Sequence, residues 1–108
     1  AHRMINTAGE LVAPPTVERA LRTLDEVSDA LVVGLPDERW GQIVAALIVP
    51  SAQGRAQASS MSAEALSAAL SDALAPWEKV RRVLVVDALP TTTTGKPDPV
   101  AAARLFDA

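Results

Sequence analysis

Two apolar runs, DALVVGL at residues 29–35 and IVAALIVP at 43–50, lie on either side of the polar heptapeptide PDERWGQ. Both are continuous and rich in β-branched residues, so each reads as a core strand. The short connection predicts that the two pair antiparallel. A third segment, RVLVVD at 82–87, predicts a third buried strand, which pattern alone leaves on either edge of the pair.

The flanking segments supply the layers that such strands need. Pro14 and Pro15 stop the chain after AHRMINTAGELV, whose RMIN and ELV pieces flank Ala8-Gly9 as the arms of a β-hairpin. Pro15 suits the first turn of a helix in which Val17, Ala20, Leu21 and Leu24 recur on one face. Residues 51–60, SAQGRAQASS, are small, polar and aperiodic, the composition of a flexible surface loop. Ser62 then reads as a helix cap, with Glu64 in the first turn and Met61 stapled to Leu66. Leu66, Leu70, Ala73 and Trp77 continue one face of that helix. Asp98-Pro99 sets up the cap and first turn of a last helix running through Phe106. The expected fold is α+β: a small N-terminal β-hairpin, then a three-stranded sheet covered by helices.

Composition narrows the function classes. The 108 residues suit one domain, and 49% of them are apolar, enough for a core without metal or crosslink. There is no cysteine and a single histidine, His2, so neither a disulfide scaffold nor a thiolate or imidazole metal site is expected. A net charge of −3 argues against a general nucleic-acid binder. No apolar run approaches the roughly 20 residues of a membrane span, and no signal-peptide pattern opens the chain. A cytoplasmic address follows as the default, and the abrupt start without Met suggests a chain that begins inside a larger protein.

PTTTTGKPDP, residues 90–99, packs nothing, yet it holds Lys96 at the end of four threonines. A Walker phosphate loop is excluded, because its leading glycine would fall at Pro90. MINTAGELVAPPTVERAL, ALVVGLPDERWGQIVAALIV, LAPWEKVRRVLVVDALP and TTTTGKP, in that order and spacing, resemble the C-terminal domain of the adenylate-forming acyl-CoA synthetases, a family of AMP-binding acyl- and aryl-CoA ligases. The resemblance covers nearly the whole chain.

That resemblance implies a two-step reaction. A carboxylate first attacks the α-phosphate of ATP to give an acyl-adenylate and pyrophosphate, and the thiol of coenzyme A then takes the acyl group. It implies a mobile domain that turns against a larger N-terminal domain between the steps, with that absent domain holding the acyl pocket, most of the ATP site and the Mg²⁺. Lys96 would place a compact ammonium beside the carboxylate and α-phosphate during adenylation. Gly9 matches the glycine that lines the pantetheine tunnel, where a side chain would obstruct the thiol.

On the residues alone, Trp40 and Trp77 read as partly buried packing residues. The resemblance instead gives both tryptophans, with Lys79 and Arg81, to the nucleotide end of coenzyme A, through stacking and phosphate contacts. His2 falls at the family's hinge. Departures from the pattern are His2 for the hinge's usual Asp or Lys, Ala8 for a frequent glycine, Leu11 for a common asparagine and Glu78 for a frequent lysine. The expected partners are the parent's N-terminal domain, a small carboxylic acid, ATP and coenzyme A. The alternatives are transfer of the acyl group to a carrier protein, or a non-catalytic binding domain.

Overall fold

The computed structural model describes residues 3–57 and 61–107. In chain order they form strands β1 (Ile5–Thr7) and β2 (Glu10–Val12), helix α1 (Pro14–Arg22), strands β3 (Val27–Asp37) and β4 (Gly41–Pro50), and helices α2 (Ala52–Ala56) and α3 (Ala63–Ala69). A 3-10 turn at Pro76–Glu78, strand β5 (Arg82–Val85) and helix α4 (Pro99–Leu105) complete them. The hinge expectation at His2 lies outside the described residues.

The expected α+β architecture is borne out, and β3 and β4 do pair antiparallel, from Val27↔Pro50 to Asp37↔Gly41. Successive strand residues point to opposite faces. Ala30, Val32, Val44, Ala46 and Ile48 therefore pack with Val17 and Leu21 of α1 and with Leu66 and Leu70 at α3. Leu31, Val33, Leu35, Ile43, Ala45 and Leu47 pack on the other face with Ala102 and Phe106 at α4. Because helices cover both faces, the two central runs are apolar throughout. Leu21, Leu47, Ile48 and Leu66 are essentially fully buried, and each contributes about 1.5–3 kcal/mol through that burial.

The hairpin and the core strands are one five-stranded mixed sheet, in which β1 joins β4 through the pair Thr7↔Gly41. Strand β5 runs parallel to β4, with Ala45↔Arg82 to Ile48↔Val85 as its register. It is less covered than a buried strand should be: Val83 and Leu84 are half-buried and Val85 is 48% exposed.

Two helical expectations need correction. The helix begun at Ser62 is capped as expected, with Ala65 N donating to Ser62 Oγ at 3.0 Å, and Met61 and Leu66 share one cluster. It ends, however, at Ala69, because Leu70 leaves helical torsions (φ −106°, ψ 14°), and Pro76 bars any resumption by holding Ala75 extended. Ala73 is exposed, and Trp77 sits on the 3-10 turn with 45% of its surface exposed.

Part of the expected loop at 51–60 is helix α2, capped by Ser51 Oγ, which accepts from Gly54 N at 3.1 Å and donates to Asp25 O. A side chain at Gly54 would overlap the Glu26 carbonyl oxygen. The helix is five residues long and packs through that glycine, so it shows no apolar period in the sequence.

Candidate functional site

Lys96 stands in a loop between β5 and α4 that is closed on itself. Thr92 N donates to Lys96 O at 2.7 Å, Gly95 N donates to Thr92 O at 2.9 Å, and Thr91 pairs with Pro97 across the neck. Thr92 Oγ1 lies 3.0 Å from Thr94 Oγ1 and accepts from Lys96 N at 3.3 Å, so these two hydroxyls serve the turn itself. Asp98 closes the base. Its N–H donates to Pro90 O at 3.0 Å, while its carboxylate and carbonyl accept from Ala101 N and Ala102 N to start α4. The backbone under Lys96 is thus fixed on both sides, and its exposed side chain makes no ion pair with any described residue.

A second group forms where the hairpin meets the turn between β3 and β4. Ala8 and Gly9 have φ values of 52° and 88°, the two positive torsions of a type I′ hairpin turn. Gly9 N donates to Asn6 Oδ1 at 3.0 Å, and beyond its two sequence neighbours no atom of the described residues lies within 4 Å of where a Gly9 side chain would begin. Ala8 N donates to Trp40 O at 2.7 Å and Asn6 N to Gln42 Oε1 at 2.9 Å, so the hairpin tip is fastened to the turn at Trp40. Asp37 Oδ1 shapes that turn by accepting from the N–H groups of Arg39 and Trp40.

Arg81 joins this group from far along the chain. Its N–H donates to Val44 O at 2.8 Å, and its guanidinium lies 4.5 Å from the Trp40 ring centroid, with that of Arg39 at 5.4 Å. Trp40 itself is half-buried against the α4-side core.

Lys79 and Trp77 are exposed close by in sequence, with Val80 buried between Lys79 and Arg81. The carboxylate of Glu78 accepts from Ala75 N at 2.8 Å and so closes the 3-10 turn beneath Trp77. Arg82, one residue beyond Arg81, is committed elsewhere: it donates to Phe106 O at 3.2 Å and lies over the Phe106 ring.

The sequence-predicted residues therefore fall into three places. Gly9, Trp40 and Arg81 come together, Trp77 and Lys79 stand on the adjacent segment, and Lys96 occupies a separate loop. Arg39 joins the group unexpectedly, although its place directly before Trp40 in the sequence is a usable signal. The Arg81 stack on Trp40 has no such signal, because it depends on the parallel register of β5.

Comparison with known proteins gives this arrangement a family. The profile of the AMP-binding enzyme C-terminal domain matches residues 16–96, and the chain belongs to that family. It is 39% identical over 94 residues to a medium/long-chain-fatty-acid–CoA/3-oxocholest-4-en-26-oate–CoA ligase of Mycobacterium marinum, covering 87% of this chain and 16% of that protein. To a 4-chlorobenzoate–CoA ligase of Pseudomonas sp. (strain CBS-3) it is 37% identical over 93 residues, covering 86% of this chain and 17% of the relative. The solved structure of the amide bond synthetase McbA from Marinactinospora thermotolerans superposes with a TM-score of 0.86 at 31% identity, over 97% of this chain and 20% of that one. The chain thus spans about a sixth of the length of these curated relatives.

Proposed function

We propose that this chain is the mobile C-terminal domain of an ATP-dependent carboxylic acid–CoA ligase, whose larger N-terminal domain carries the acyl pocket. The observation that carries the reading is Lys96. Its backbone is held by bonds on both sides and its ammonium has no ion partner among the described residues. Such a charge can stabilise the negative charge shared by the carboxylate and the α-phosphate while the acyl-adenylate forms. The ligase names of the curated relatives support the same chemistry.

For the second step, Gly9, Trp40, Trp77, Lys79 and Arg81 form the face toward coenzyme A. The open space at Gly9 leaves room for the pantetheine arm, the exposed indole of Trp77 can stack on adenine, and the cations can meet phosphates. No group of three or more carboxylate or imidazole side chains able to hold a metal ion occurs among the described residues, so the Mg²⁺ of ATP falls to the N-terminal domain in this reading. The supply of ATP and coenzyme A supports a cytoplasmic place for it, and no helix of the structure is long and apolar enough to cross a membrane.

The test is Lys96→Ala in the parent enzyme. Acyl-adenylate formation should fall by orders of magnitude while thioester formation from supplied adenylate survives. Equal loss in both half-reactions would overturn the assignment. Supplying free coenzyme A and a carrier protein side by side as acceptors separates this reading from transfer to a carrier.

A further inference from the structure

Gly34 lies within β3 and lacks the positive φ of Gly9, Gly41 and Gly95, so its torsions do not call for glycine. Space does. A Cβ at this position would lie 2.8 Å from Gln42 Nε2 and 3.2 Å from both Gln42 Cδ and Ile5 Cγ1, so even a methyl group would displace the carboxamide. A glycine inside a strand often marks such a close approach. Gln42 stands on β4 opposite Pro36, one diagonal step from the Gly34↔Val44 pair, and its side chain lies across β3 at the bare glycine. From that seat Gln42 Oε1 accepts from Asn6 N at 2.9 Å, and Asn6 Oδ1 in turn accepts from Gly9 N at 3.0 Å.

We propose that Gln42 is a positioning residue of the thioester step: seated on Gly34 and acting through Asn6, its carboxamide fixes the pose of the turn that carries Gly9. The proposal rests on the reading of Gly9 as part of the coenzyme A path and names what orients it. The bond from Ala8 N to Trp40 O fastens the tip of the hairpin at one point. A single point leaves a swivel, and the Gln42 bond to Asn6 supplies the second. The bonds that hold the Lys96 loop run to Thr92, Pro90 and Ala101 and involve none of these residues. Adenylation is therefore an internal control within the same enzyme.

The test compares half-reactions in the parent enzyme. Gln42→Met keeps the length of the side chain and removes its acceptor. Thioester formation from supplied adenylate should fall about three- to tenfold, the weight of one hydrogen bond, while adenylate formation stays within about twofold of parental. Gln42→Glu retains an acceptor oxygen and should recover most of the rate. Gly34→Ala should show the same split as Gln42→Met, because its methyl pushes the carboxamide off its seat. In an Asn6→Ala background, Gln42→Met should cause no further loss, since Gln42 acts through the Asn6 side chain. Equal loss in both half-reactions, or losses that multiply in the double variant, would overturn the proposal. If Gln42→Met does not fold, Gln42→Ser is measured under the same criteria.

Amide exchange in the parent enzyme, read by mass spectrometry on the segment from β1 to β2, gives a second readout. Gln42→Met should quicken exchange there, and unchanged exchange would overturn the proposal. Gly9→Leu run alongside tells the two failures apart. If it keeps the parental thioester rate, the Gly9 reading falls and the proposal with it; if it loses that step while Gln42→Met keeps it, only the positioning role is lost.

Discussion

Ala8 is the only described non-glycine residue with a positive φ, 52°, a conformation that costs an L-residue with a Cβ roughly 1–2 kcal/mol. Asparagine tolerates it better. Ala8→Asn should therefore stabilise the chain by up to about 1 kcal/mol, a rise of roughly 4 °C in Tm for a domain of this size, measurable by thermal unfolding. At Gly9 the obstacle to a side chain is the torsion of 88° and no neighbouring atom. Gly9→Leu in the parent enzyme should thus still fold and make adenylate, yet fail at the thioester step. Parental thioester rates in that variant would remove Gly9 from the coenzyme A path. Lys96 and Gly9 could be picked out in the sequence because each sits in a loop or turn marked by glycine and proline, which local chemistry decides. The pairing of Trp40 with Arg81 was not legible, since a separation of 41 positions closes only through the sheet.

Among the elements, β3 is the strand most exposed to a wrong partner, because among the described residues it has β4 on one side and no strand on the other. Side chains of α1 occupy that outer edge: Glu18 Oε2 accepts from Val32 N at 2.9 Å, and Arg22 donates to Ala30 O at 3.1 Å while pairing with Asp29. Such blocking is one way proteins prevent edge-to-edge association. Glu18→Ala would leave a part-buried amide without its acceptor, a loss of about 1–3 kcal/mol. The same change should raise the fraction of dimers and larger species seen by light scattering. Ser51→Ala should cost about 1 kcal/mol through the lost cap of α2.

The elements that could be foreseen were those with a long period or a strong cap, such as α1 with Val17 and Leu21 or the start of α3 at Ser62. Helix α2 escaped because a five-residue helix has too few turns to show a period. The end of α3 was overrun because the apolar spacing of Leu66 and Leu70 happens to extend to Trp77 beyond the true stop.

At the scale of the molecule, β4 is the hub: β3 flanks it throughout, while β1 and β5 share its other side at different points along the strand. The central pair was readable because apolar runs announce coverage on both faces. Attachment of the hairpin was not, since it joins β4 through the pair Thr7↔Gly41, bonds to Trp40 and Gln42, and the burial of Ile5 and Val12 in the core, none of which has a local signal.

Asp98 supplies the last consequence. It is both the base of the Lys96 loop and the first turn of α4, so in the time domain the loop and the helix should open as one unit. Amide exchange at Thr92, Gly95, Asp98, Ala101 and Ala102 should share one rate, and Asp98→Ala should quicken all of them together. Two separate rates would disconnect the loop from the helix. Within the parent enzyme, a carboxylate and nucleotide gripped by Lys96 should then quiet the amides of α4, which they never touch, and the slowing of that helix becomes a clock for the first chemical step.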